Sequence, residues 1–227
     1  MTAALLLATA VALAPTSGAL RNTAATLDSG EVVLRIPTAP SAVGLTSKTE
    51  VWVVPVDLLI GGPRLGVEQQ LCNTEAFSLS VAPSIGQKLS MGRTSFKVNG
   101  VASYKWGPNR VNAVVAPELR LLRTLTLGEA LSDELRFDRL HVSTRLAWDH
   151  DWKSGTTRLQ TSVMVYDETE WATFATVGGQ YIHRFGVAHL AGGVSLLVGQ
   201  PTEHVFLGNY EHTLVSLYPT LDMWFQF

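Results

Sequence analysis

The sequence predicts an all-β chain folded as an antiparallel up-and-down β-barrel of ten strands, with twelve as the alternative count. Three observations lead there. From about residue 30 onward, short segments with period-two alternation follow one another, broken by Gly, Pro, Asn and Ser. No stretch of about 12 residues carries a helical repeat. The final segment alternates up to an aromatic last residue, Phe227.

Composition sets the frame. The chain has 227 residues, which suits one domain. Charged residues make up 16% and hydrophobic residues 46%, with mean hydropathy +0.18. No run of about 18 apolar residues follows the N-terminus, so a helical membrane span is not expected. A formal net charge of −2 with dispersed Lys and Arg leaves no nucleic-acid footprint. The single cysteine, Cys72, excludes an intramolecular disulfide.

The N-terminus comes first in order. Residues 3–14 form an apolar run, and Ser17, Gly18 and Ala19 make a small-x-small cleavage site. Residues 1–19 are therefore expected to be a signal peptide, 20–47 an N-terminal segment and 48–227 the barrel. Ten strands are expected at 48–60, 64–72, 76–86, 94–106, 110–122, 139–152, 156–167, 171–184, 187–199 and 213–227. An eleventh alternating segment, 31–36, sits uneasily with the even strand numbers of single-chain barrels. Either it lies outside the wall or a further strand accompanies it. Pro55 and Pro63 lack ladder donors and mark 55–63 as a bulged or split region.

In 76–86, Phe77, Leu79, Val81, Pro83 and Ile85 share one face, opposed by Ser78, Ser80, Ala82 and Ser84. In 94–106, Phe96, Val98, Ala102, Tyr104 and Trp106 oppose Lys97, Asn99, Ser103 and Lys105. In 110–122, Val111, Ala113, Val115, Leu119 and Leu121 oppose Asn112, Glu118 and Arg120. In 139–152, Leu140, Val142, Leu146 and Trp148 oppose His141, Ser143, Arg145 and Asp149. In 156–167, Leu159, Thr161, Val163 and Val165 oppose Arg158, Gln160 and Ser162. Such alternation suits a soluble sandwich or barrel with its apolar face inward. It equally suits a membrane barrel with its apolar face outward.

The last segment separates these. Phe227, Phe225, Met223, Leu221 and Leu217 share one parity, and Ser216, Thr220, Asp222 and Gln226 the other. This ending resembles the C-terminal β-signal of Gram-negative outer-membrane β-barrel proteins. The resemblance covers about the last ten residues and implies a transmembrane barrel in the bacterial outer membrane. It also implies that Phe227, Phe225, Met223 and Leu221 are the assembly signal read by the barrel-assembly machinery, and that outer-membrane lipid is the surrounding partner. Counting back from a periplasmic C-terminus makes the turns at 184–186, 153–155, 107–109 and 72–75 periplasmic. The connections at 61–63, 86–93, 123–138, 167–170 and 200–212, most of them longer, become extracellular, the asymmetry of such barrels. Trp52, Phe77, Trp106, Trp148, Phe225 and Phe227 then sort to the periplasmic rim on the lipid face, and Phe96, Tyr166 and Trp171 to the upper rim.

On this register Lys97, Lys105, Glu118, Arg120, Arg145, Asp149, Arg158 and Asp222 line the lumen. Charges of both signs in a narrow barrel argue for a closed or narrow structure and against a general porin. The expected function is that of a small, non-catalytic outer-membrane barrel, either a porin-like narrow channel or a structural protein with surface interactions through its loops. Two alternatives stay open: an outer-membrane hydrolase, and a soluble periplasmic ligand-binding barrel. His141, Val142 and Ser143 have the spacing of the His-x-Ser-Asn element that outer-membrane phospholipases and lipid A deacylases resemble one another in, but Thr144 follows and the parity is inward. Asp149, His150 and Asp151 resemble the Asp–His pair of omptin proteases only superficially and fall at the wrong end. The pairs His183 with His189 and His204 with His212 lack the third ligand that zinc needs. No cofactor, metal site or catalytic residue is expected.

Overall fold

The computed structural model describes residues 24–36, 40–54, 62–88, 93–124, 134–166, 172–199 and 214–227. Twelve antiparallel strands close into one barrel, each paired with its neighbours in sequence, the first with the last. They are β1 (Val32–Ile36), β2 (Ser41–Thr46), β3 (Thr49–Val53), β4 (Arg64–Asn73), β5 (Phe77–Lys88) and β6 (Arg93–Trp106). They continue as β7 (Asn109–Thr124), β8 (Glu134–Asp151), β9 (Gly155–Tyr166), β10 (Ala172–Phe185), β11 (Ala188–Gly199) and β12 (Leu214–Gln226). Closure gives each strand a neighbour on both sides.

The count of ten is corrected to twelve. Segment 31–36 belongs to the wall, because β1 pairs with β12 through Val33–Gln226, Leu34–Phe225, Arg35–Trp224 and Ile36–Met223. The further strand is β2, inside the region expected to precede the barrel. Among its described residues, segment 48–60 contributes Thr49–Val53 as strand, and 55–60 lie outside the described residues. Pro63 lies just ahead of β4, where a missing donor costs no ladder bond.

The two ends of the barrel differ. At one end the strands are joined by two or three residues: Ser47 and Lys48; Thr74, Glu75 and Ala76; Gly107 and Pro108; Trp152, Lys153 and Ser154; Gly186 and Val187. Gly107 and Gly186 open their two-residue turns with φ of 55° and 62°, as primed hairpin turns require. Phe227 finishes at this short-turn end, where its N–H and C=O both bond Val32 at 2.9 Å. The other end carries the connections around 54–63, 125–133 and 200–213, the long-connection end.

The faces differ as sharply. Large apolar side chains stand exposed all round the outside, among them Leu65, Ile85, Val98, Val115, Leu146, Leu159, Val177, Val194 and Leu221. Buried side chains on the inner face are largely polar or small: Glu50, Glu68, Ser80, Asn99, Asn112, Glu118, His141, Asp149, Arg158 and Ser195. Phe77, Tyr104, Trp106, Trp152, Tyr181, Phe185 and Phe227 are exposed aromatics near the short-turn end, and Phe96 is one near the other. Trp171 and the Tyr166 side chain lie outside the described residues.

Trp52 departs from its expected outward facing. It is 1% exposed and points inward, one pleat from the buried Glu50. Its indole lies over Gly66, its cross-strand partner, where a Cβ would come within 2.2 Å of Cζ2. The absent side chain on β4 makes the space that the ring fills.

Candidate functional site: the barrel interior

The inner face is built by register. Because each inward residue opposes an inward residue on the next strand, polar groups join into rows around the wall. One row runs through β9, β8, β7 and β6 near the short-turn end. Arg158 donates to Asp149 from Nε at 2.8 Å and from Nη2 at 3.2 Å, a bidentate charge-assisted pair. Asn112 Nδ2 donates to Asp149 Oδ2 at 3.1 Å, and Ser103 Oγ donates to Asn112 Oδ1 at 2.8 Å. On the opposite side Arg35 Nη1 binds Asp222 Oδ2 at 2.6 Å, and its guanidinium lies 4.2 Å from the Trp224 ring centroid. Trp224 in turn stacks on His189 with centroids 5.0 Å apart.

The row across β9, β8, β7 and β6 ends on the chain's own N-terminal segment. The Ala24 N–H donates to Ser103 Oγ at 2.8 Å, and Gln70 Nε2 donates to the Ala24 carbonyl at 3.1 Å. The Leu27 N–H donates to Glu50 Oε2 at 2.9 Å, and Thr26 Oγ1 to the Ser47 carbonyl at 3.0 Å. Ala24, Thr26 and Leu27 are buried, and Ala24 packs with Val101, Val114 and Ala116 in an apolar layer at mid-height. Residues 24–28 therefore fill the lumen at the short-turn end. A turn closed by Glu31 N–H to Asp28 C=O at 3.0 Å, with Gly30 at φ 83°, then sends the chain into β1. Gly44 on β2 makes this possible, because a Cβ there would lie 2.0 Å from the Asp28 carbonyl oxygen. Sequence reading missed this insertion; its one legible trace is a glycine within a short strand.

Above the apolar layer the interior changes character. Arg64 Nη2 reaches Ser95 Oγ at 3.1 Å and Glu118 Oε1 at 3.2 Å, from β4 to β6 and β7. Arg120 Nε lies 3.4 Å from the same Glu118 oxygen. Lys97 is the cross-strand partner of Glu118. It stands within electrostatic range of Glu118, Arg64, Arg120 and Arg145.

The eight expected lumen residues sort as follows. Glu118, Asp149 and Arg158 are buried inside, and Lys97, Arg120, Arg145 and Asp222 are half-buried on the same face. Lys105 is exposed instead, since β6 ends one residue later and places it at the mouth of the short-turn end. Among the described residues, Glu50, Glu68, Arg35 and Arg64 are further charges on the inner face. The five-residue strands β1 and β3 leave the parity of Arg35 and Glu50 hard to read, and Arg64 is the first residue of β4.

Residues weighed for chemistry are held in structural contacts. His141 and Ser143 both face inward, and Ser143 Oγ donates to the Ala116 carbonyl at 3.4 Å. Asp151 binds Arg184 at 3.1 Å and accepts from Thr156 Oγ1 at 2.6 Å. His150 contacts Asn109 Oδ1 at 2.9 Å and packs against Trp148 and Trp152. His183 pairs with Leu190, one position away from the Arg184–His189 pair, so the two histidines face opposite sides of the wall. His204 and His212 lie outside the described residues. Among the described residues no three metal-binding side chains converge.

The class defined by this geometry is a closed, twelve-stranded, up-and-down antiparallel β-barrel with a polar interior and an apolar exterior. A scan against protein-family models found no match, and neither curated proteins nor solved structures returned a similar chain.

Proposed function

We propose that the chain is a small outer-membrane β-barrel without catalytic activity, acting as a structural and surface-interaction protein or as a narrow channel. The observation that carries this reading is the inversion of the wall. Leu217 and Leu221 are 70% and 74% exposed, and comparable apolar side chains continue over every long strand, while charges are buried within. A soluble monomer rarely exposes an apolar patch above a few hundred Å². Lipid is the solvent that favours such a face. The segment at 24–28, filling one end of the lumen, favours the closed structural role over conduction. Short turns gathered at the end that holds Phe227, with exposed aromatics beside it, agree with a periplasmic C-terminus.

The test is membrane fractionation with heat-modifiable gel mobility. The expected result is a protein in the outer-membrane fraction that migrates faster unheated than boiled. Recovery in the soluble periplasmic fraction would favour the ligand-binding barrel, and turnover in lipase or protease assays the hydrolase. Planar-bilayer recording separates pore from plug: the closed role predicts no current steps, and steady steps would favour the channel. Deletion of Phe227 is expected to impair membrane assembly; normal insertion would remove the assembly-signal reading.

A further inference from the structure

We infer that the seam-side edge of β12, over residues 214–222, is a docking site for an extended segment of another polypeptide, added as a strand antiparallel to β12. The edge follows from unequal partners. β11 accompanies β12 along its length, from the pair Ala188–Phe225 to the pair Gly199–Leu214. β1 accompanies it only from Val33–Gln226 to Ile36–Met223. There β1 gives way to β2, and the residues between them, 37–40, are too few to carry the ladder on beside 215–221.

The backbone direction is fixed by the end of the strand. Phe227 exchanges both its backbone bonds with Val32, while the Gln226 N–H turns the other way, to Val187. Backbone groups alternate sides residue by residue, so the odd-numbered residues of β12 point to the seam. Val215, Leu217 and Leu221 therefore present N–H and C=O beyond the end of β1, and Pro219 presents C=O alone. Among the described residues no ladder partner stands opposite them. A mid-strand proline is tolerated at such an edge, where its missing N–H faces no partner. The side chains agree. Met223, with β1 beside it, is 38% exposed, whereas Leu221, Leu217 and Val215 are 74%, 70% and 62% exposed.

An edge of this kind is a template for strand addition, which satisfies the backbone groups that lipid leaves unmet. The partner segment continues the ladder that β1 begins. Opposite Ser216, Tyr218, Thr220 and Asp222 its residues face inward and are small or polar. Opposite Val215, Leu217 and Leu221 they face outward and are apolar. A second copy of this chain fits poorly. A twofold axis normal to the bilayer would run two β12 strands parallel and set the inner face of one against the outer face of the other. The edge rests on register alone; the apolar outward half of the partner's pattern rests on the outer-membrane reading.

The test uses the full chain folded in detergent. The probe is a synthetic peptide of the sequence of β11, Ala188–Gly199, carrying a fluorophore and a photo-cross-linker; β11 is the strand that β12 accepts on its other side. Saturable binding is expected, with cross-links confined to 214–222. A peptide of the same composition without alternation should bind at least tenfold more weakly. So should the native peptide to the double variant L217P/L221P, which removes two donors from the seam side and none from the β11 side. No saturable binding, cross-links spread over the wall, or equal affinity for the scrambled peptide would overturn the inference. Equal affinity in a folded L217P/L221P would do so too, as would a wild-type dimer cross-linked from β12 to β12. If L217P/L221P loses heat-modifiable mobility, the scrambled peptide and the cross-link positions decide. Recovery in the soluble fraction with peptide binding intact would remove the outer-membrane reading and keep the edge; membrane recovery without binding would do the reverse.

Discussion

The two halves of the barrel interior are made from the same residue types and organised in opposite ways. Near the short turns Arg158 sits on Asp149 and Arg35 on Asp222, and the first pair is linked through Asn112 and Ser103 to the backbone of the N-terminal segment. Toward the long connections, guanidinium groups crowd one carboxylate and keep some exposure to water. The first arrangement is closed and self-satisfying. The second shares one carboxylate between two guanidinium groups that solvent partly screens. Charge type therefore says little about role inside a barrel; height and pairing decide it.

This contrast can be broken from its strong side first. Asp149→Ala removes the carboxylate that holds Arg158 and Asn112. The buried guanidinium left behind is expected to cost about 3–5 kcal/mol in urea unfolding of the folded barrel. The double variant Asp149→Leu with Arg158→Met should recover much of that loss, since removing both charges restores neutrality. A double variant as unstable as the single would show that the network does more than neutralise its own charges.

The outer wall gives the next largest effect. Leu146→Arg, mid-strand on the outward face, is expected to destabilise a lipid-embedded barrel by roughly 2–4 kcal/mol. For a water-facing wall the same change should alter stability by less than about 0.5 kcal/mol. Chemical denaturation in vesicles distinguishes the two.

Gly44→Val acts on the lumen-filling segment. Its side chain meets the Asp28 carbonyl, so overpacking of about 1–3 kcal/mol or expulsion of 24–28 is expected. Limited proteolysis should then cut the chain near Leu27 while the strands stay protected. A resistant Gly44→Val would mean that the wall yields and the segment stays. The smallest effect belongs to the upper half: Glu118→Gln should change stability by no more than about 1 kcal/mol, because its partners are partly exposed. A loss as large as that of Asp149→Ala would erase the distinction between the halves.

Much of the wall was legible in the sequence, and for an identifiable reason. From β4 to β12 the strands are mostly ten or more residues long, so the parity of Phe77 through Ile85, or of Leu140 through Trp148, repeats often enough to be read. The tight turns around Gly107 and Gly186 punctuate them. In β2 the run Ser-Ala-Val-Gly-Leu-Thr offers only Val43 and Leu45 as outward apolar residues, and its inward Gly44 reads as a breaker. Trp52 shares the inward face of β3 with Glu50, and the strand stops at Val53, too short for that parity to repeat legibly. Among the inner charges, the expected face was readable but the height was not. Height depends on the stagger between strands, and only the register brings Arg64 to Glu118 or leaves Arg145 beside Val114.

The seam between β1 and β12 has a consequence for what the barrel encloses. The ring is completed by its first and last strands, with Phe227 bonding back to Val32. Without the pairing of β1 and β12 there is no enclosed interior, only a curved sheet with two open edges. The segment that occupies the interior is tethered to the first of those edges by the turn at Asp28 to Glu31. Occupant and edge are therefore joined by one short turn, and 24–28 lies beside the seam where β12 pairs with β1.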